Sequence, residues 1–202
     1  LVSLLPDQIV RDLDLPLRIR SRSVASYTPV RRGNRDVGLF VERDPGSVTE
    51  ASFRELTGSD AEFKAWQAFY GELAAMATRL APTMLEPLRP APAIRKRIGE
   101  QTWERFVERP LGEVVEETFA DDTVRGVVLT DALIGTFTHA HDPSLLQNRC
   151  FLYHLVGNGT GEWRVPVGGM GAVTAALADA ASEAGARLVT RAEGTAIESD
   201  GR

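Results

Sequence analysis

The chain has 202 residues, of which 43% are hydrophobic and 25% charged, with 18 glycines and 11 prolines, proportions of a globular chain that exclude disordered, collagen-like and coiled-coil classes. A formal charge of -5 argues against a nucleic-acid partner, whose binding rests on neutralised phosphates, and no apolar run approaches the ~20 residues of a transmembrane segment. The single cysteine, Cys150, excludes a disulfide framework or a multi-cysteine metal site and suits a reducing, cytoplasmic compartment.

Residues 6–14 read as one or two helical turns. Arg18, Arg20 and Arg22 then alternate with Ile19, Ser21 and Ser23, and 37–42 alternate again, the period of a half-wet strand. With turn chemistry at Arg32-Gly33-Asn34-Arg35-Asp36, residues 17–43 form a predicted hairpin or meander, closed by Asp44-Pro45-Gly46. Seven arginines against three aspartates in residues 1–35 leave a local charge of +4, for which exposed strand positions are the plain explanation.

The character changes to helix over 47–157. Ser59 with Glu62 forms a predicted capping box, and Phe63, Trp66, Phe69, Tyr70, Leu73, Met76 and Leu80 make one apolar stripe. Pro82 stops this helix, and 87–92 read as a Pro-rich connector. Shorter helices follow over 101–108, 111–119, 124–136 and 144–156, with 152–156 expected to be deeply buried.

An extended run at 163–167 leads through Gly168-Gly169-Met170-Gly171 into a helix with Val173, Leu177, Ala180 and Ala184 on its buried stripe. Gly185 then supplies the left-handed residue that closes it. Residues 187–190 and 195–198 read as strands, and Asp200-Gly201 is a hairpin-turn signal. Because a returning strand is due there, the chain reads as an internal piece of a longer protein. The predicted fold is α+β: a small antiparallel sheet covered by a helical cap, followed by a β-α-β-β segment, divided into 1–160 and 161–202.

The turn at Gly168–Gly171 stands between strand and helix, where backbone amides and a helix dipole face an anion. It is neither a Walker loop nor a full Gly-x-Gly-x-x-Gly, since Thr174 takes the last glycine position. Close strand–helix packing explains it equally well. Gly157-Asn158-Gly159-Thr160-Gly161 follows a helix, the wrong order for a dinucleotide fingerprint. His139-Ala140-His141-Asp142 reads as a polar loop with no metal, Cys150 as a small buried side chain. Gly-x-Ser-x-Gly and His-Glu-x-x-His are absent.

Several stretches taken together resemble the middle of a phytoene dehydrogenase-like FAD-dependent oxidoreductase: Phe40-Val41-Glu42-Arg43-Asp44-Pro45, Asp131-Ala132-Leu133-Ile134-Gly135-Thr136-Phe137, Tyr153-His154-Leu155, the run from Gly161 to Val173, and Ala184-Gly185-Ala186-Arg187-Leu188. Within that family the likeness is to the branch called pyridine nucleotide-disulfide oxidoreductase domain-containing protein 2. The resemblance implies that 161–202 belong to a partial FAD-binding domain. It places Gly168, Gly169 and Met170 beside the flavin side of the domain boundary, and Gly194 where the family usually has a valine near the adenosine.

It also implies hydride transfer from a hydrophobic small-molecule substrate to flavin, with Phe137, Tyr153, Leu155 and Trp163 as pocket walls. Core packing is the plainer role for each of the four. FAD is expected in the intact protein and not on this piece alone, which lacks the phosphate-gripping glycine motif and is expected to be inactive and to self-associate through apolar surfaces. The alternatives are a helical protein-interaction module without catalysis and a nucleotide-binding β-α-β protein using Gly168–Gly171.

Overall fold

The computed structural model describes residues 4–157, 159 and 161–198. It is α+β, as the sequence predicts, with two small antiparallel pairs of strands and a helical layer. After the short helix α1 (Asp7–Asp12), strand β1 (Ile19–Arg20) does not join the hairpin expected over 17–43. It pairs instead with β4 (Val165–Pro166), in the register Ile19 to Pro166 and Arg20 to Val165. The Val167 amide donates to the Arg18 carbonyl at 2.8 Å and extends the clasp. Periodicity reveals that a segment is a strand, but not its partner.

The hairpin proper is β2 (Val24–Arg32) and β3 (Arg35–Glu42). Its two-residue loop, Gly33-Asn34, takes the positive φ of 62° at Gly33 that such a turn demands. Val37, Leu39 and Val41 are buried on one face of β3. Helix α2 (Ser47–Thr57) runs along the strand's outer edge and bonds to it through side chains. Ser52 Oγ accepts from the Phe40 amide and donates to the Gly38 carbonyl, and Thr49 Oγ1 accepts from the Glu42 amide while donating to the Glu42 carboxylate. The hydroxyls satisfy an edge that would otherwise lie buried without partners, so both are buried polar residues.

Helix α3 (Ala61–Leu80) carries the predicted stripe, and Phe63, Trp66, Phe69, Leu73 and Met76 are all buried. Phe69 is the hub: the rings of Tyr70, Phe106, Phe119 and Phe151 lie 5.4 to 6.1 Å from it. The capping box does not close. Ser59 Oγ accepts from the Ala61 amide, but Glu62 is buried and accepts from the Ala120 amide at 2.8 Å. A tertiary partner displaces the local one.

Pro82 ends α3 in a 3-10 turn (Ala81–Thr83). The connector then yields to a helix that the sequence reading missed, α4 (Ala91–Ile98), with proline in its first turn, where the absent amide costs nothing. Helix α5 (Glu100–Trp103) runs into a π-helical turn (Glu104–Glu108), followed by α6 (Leu111–Thr118), α7 (Asp122–Leu133) and α8 (Leu146–Val156). Asp121 caps α7 by accepting from the Thr123 and Val124 amides. Asn148 of α8, buried at 1% exposure, donates to the Phe106 and Arg109 carbonyls and accepts from the Leu111 amide, stitching the irregular turn to α6.

Helix α9 (Met170–Glu183) closes as expected at Gly185, with φ 89°. The amides of Gly185 and Ala186 return to Ser182 and Ala181, a Schellman closure. Its buried face is Val173 and Ala176, while the predicted Leu177 and Ala184 are exposed. Of the β-α-β-β segment the first strand and the helix form. Residues 187–190 and 195–198 are not strands, and Leu188, Val189 and Ile197 are exposed. Extended backbone persists when a neighbour completes its ladder, and no backbone hydrogen bond involves 187–198 among the described residues. The turn expected at Asp200-Gly201 and the positions Asn158 and Thr160 lie outside the described residues.

Candidate functional site

The glycine turn is a direct consequence of the strand clasp. With β4 held against β1, the Gly169 amide donates to the Pro166 carbonyl at 3.0 Å, a turn whose third residue, Gly168, has φ 89°. That positive φ is the requirement of a type II turn. Gly169, at φ 75°, is the N-cap of α9 and brings no side chain to the helix start. Gly168, Gly169 and Met170 are all exposed; the Gly169 and Ala172 amides are taken by the Pro166 and Gly169 carbonyls, which leaves the Met170 and Gly171 positions of the first turn to face solvent or an anion. Gly194 is also exposed, and among the described residues no backbone hydrogen bond ties its stretch to this turn.

Just before β4 stands a cluster that spacing did not single out. His154 lies one turn beyond Cys150 on α8. Its Nδ1 is 2.9 Å from the backbone carbonyl of Asp131 on α7 and 3.6 Å from Cys150 Sγ. A carbonyl only accepts, so Nδ1 carries the proton and Nε2 carries the lone pair. Among the described residues Nε2 makes no hydrogen bond. The imidazole lies over the indole of Trp163, with ring centres 5.1 Å apart and planes at 32°.

Three further groups respond to this setting. Burial pushes the Asp131 carboxyl above the usual carboxylate range, opposed by His154 to the extent that its imidazole is charged. Burial, and then the Asp131 carboxylate, push the Tyr70 phenol upward, and the same two causes raise the Cys150 thiol. Cys150 is therefore a thiol at neutral pH, donating to the Ile134 carbonyl at 3.6 Å, without the thiolate character of a nucleophile.

The four expected pocket residues occupy different places. Trp163 is half-buried on His154, and Tyr153 is half-exposed beside the same imidazole at 5.9 Å. Leu155 turns inward and packs on the core. Phe137 is fully exposed and holds a left-handed φ of 52°, strain of a kind that collects at functional loops. Only Tyr153 and Trp163 meet around one group. The signal for His154 was its place in the Tyr153-His154-Leu155 stretch, which metal-ligand spacing did not capture.

The histidine loop serves structure. His141 Nε2 is 3.2 Å from Glu116, the Ala140 carbonyl accepts from the Gly112 amide and from Gln147, and Asp142 accepts from Thr138 and from the Ser144 amide. Those bonds hold the Asp142 carboxyl down to about 2. Among the described residues, no group of three or more His, Cys, Asp or Glu is placed to hold a metal, and no helix is long and apolar enough to cross a membrane.

No family model matches the chain, and no solved structure matches it. An uncharacterized protein of Mycobacterium tuberculosis is 44% identical over 208 residues, covering 100% of this chain and 38% of that protein. Mouse pyridine nucleotide-disulfide oxidoreductase domain-containing protein 2 is 26% identical over 220 residues, covering 94% of this chain and 38% of its own length. Its rat counterpart is 30% identical over 111 residues, 52% of this chain and 19% of that protein. The chain thus spans about two fifths of the mycobacterial and mouse relatives. It is distantly similar to proteins named for an oxidoreductase domain.

Proposed function

We propose that the chain is an internal part of an FAD-dependent oxidoreductase of the phytoene dehydrogenase-like kind, which transfers hydride from a hydrophobic substrate to flavin and is inactive as these 202 residues alone. The observation that carries this reading is the 26% identity over 94% of the chain to a protein named for an oxidoreductase domain. The solvent-facing start of α9 adds to it: Gly168 and Met170 present exposed backbone on either side of Gly169, an N-cap with no side chain of its own, which fits an edge of a flavin nucleotide. It does not fit its diphosphate, for which the chain has no Gly-x-Gly-x-x-Gly.

When bound, a flavin supplies a two-electron acceptor. This chain's share is to border it with the glycine turn and to offer Trp163 and Tyr153 as apolar surface for substrate. Gly194 belongs to the same reading as an adenosine-side backbone contact, and 161–202 to the flavin-binding portion, with 1–160 as the substrate-domain strands and helical cap. A cytoplasmic setting belongs to it too.

The test is flavin content. The full-length protein that contains this chain is expected to purify with about one flavin per chain, and residues 1–202 alone with none. A full-length protein without flavin overturns the reading. The second reading, an interaction module, is favoured by the full exposure of Phe137 and Leu88. Size-exclusion chromatography across concentration separates the two: the internal-part reading expects residues 1–202 to self-associate, and a monomer throughout with a cooperative melt argues against it and for a self-standing module.

A further inference from the structure

Resting on the oxidoreductase reading, we propose that His154 Nε2 is the proton acceptor in substrate oxidation, and that the oxidised carbon bears an O–H or N–H group. The Asp131 carbonyl fixes the protonated nitrogen at Nδ1 and leaves the basic lone pair on Nε2 without a hydrogen-bond partner among the described residues. The indole of Trp163 fixes the ring plane. Trp163, which packs on the base from the far side of the chain's glycine-rich stretch, belongs to the short segment that leads through β4 to the glycine turn.

The groups around the imidazole suit a ring that gains charge. Asp131 comes from α7, Tyr70 from α3, and Cys150 and Tyr153 from the same helix. Glu162 and Arg164 flank Trp163 and are ion-paired to Arg43 and Asp7 respectively. The Asp131 carboxyl lies close enough to feel a charge on His154, which lowers its proton affinity. Tyr70 and Cys150, both raised by burial, stay neutral and do not compete for the proton.

The step balances as follows. The O–H or N–H bond of the substrate breaks and its proton goes to Nε2. The adjacent C–H bond breaks, with its hydride leaving to a two-electron acceptor of the flavin class, and C=O or C=N forms. The substrate is oxidised and the acceptor reduced by two electrons, and the imidazolium later returns its proton to water. A neutral imidazole matches an ammonium or a developing carbonyl in proton affinity far better than it matches an unactivated C–H, which selects alcohols and amines over hydrocarbons.

Two arms test this. In the labelled chain, long-range proton–nitrogen NMR is expected to show His154 with the proton on Nδ1, assigned by elimination with H139N and H141N. A proton on Nε2 overturns the proposal without reference to any activity. In the flavin-loaded full-length protein, apolar alcohols, amines and hydrocarbons are compared as anaerobic bleaching agents.

His154→Asn keeps a donor toward the Asp131 carbonyl and removes the base. It is expected to hold its flavin, to slow bleaching by an alcohol or amine roughly 100-fold or more, and to recover in part with added imidazole. Bleaching by hydrocarbons alone, or an unchanged rate in the variant, overturns the proposal. A full-length protein with no flavin instead overturns the reading beneath it, and leaves the NMR arm to decide the tautomer.

Discussion

Asp142 shows how one side chain ties stability to pH. Its carboxyl is held down to about 2, first by the Thr138 hydroxyl and then by Ser144, against an ordinary value of 3.8. A depressed folded value means the contribution is present above 3.8 and is lost as pH falls through about 2. The thermal midpoint is therefore expected to fall across that window, and Asp142→Asn to flatten the fall, measured by calorimetry. Gly112 is a second single-residue constraint. A Cβ there would stand 2.8 Å from the Ala140 carbonyl oxygen and from the His141 ring. Because the carbonyl is backbone and accepts from the Gly112 amide itself, Gly112→Ala is expected to cost about 1 to 3 kcal/mol by overpacking, read by denaturant titration. Neither residue announced this role in the sequence: Gly112 sits inside an ordinary helical run, and its neighbour across the gap is 28 positions away.

At the scale of elements, what periodicity encodes was legible and what depends on a distant partner was not. The stripe of α3 could be read because Phe63, Trp66, Phe69, Leu73 and Met76 share a face by spacing alone. Glu62 could not, since the amide it serves, Ala120, lies 58 positions on, in the link between α6 and α7. The same holds at the candidate site. The glycine turn was visible as punctuation, whereas His154 gains its tautomer from the Asp131 carbonyl and its orientation from Trp163. The π-helical turn is the sharpest case, because Asn148 satisfies two carbonyls and one amide around it. Asn148→Leu leaves those groups buried without partners, at about 1 to 3 kcal/mol for each, and is expected to lower the unfolding free energy by about 3 kcal/mol or more. An unchanged denaturation midpoint would contradict that assignment. The β2 edge is protected differently. Pro29 lies opposite Gly38, whose carbonyl faces outward to Ser52, so Pro29 sits on the outward-facing parity and offers no amide to a passing strand.

For the molecule as a whole, the aromatic hub sets how the layers share one core. Phe69 touches rings from the π-helical turn, from the end of α6 and from α8, so the helical layer is expected to unfold together. Phe69→Ala should cost about 3 to 5 kcal/mol while leaving the single transition and its denaturant slope unchanged. Two transitions in the variant would show that the layer is not one cooperative unit. The clasp of β1 and β4 has a different consequence. The polypeptide enters the sheet-and-helix body through Ile19–Arg20 and departs through Val165–Pro166, side by side and antiparallel. A body tethered by two adjacent threads can swing about them, with the few residues at their ends absorbing the rotation. It cannot drift away from, or slide past, whatever those threads continue into.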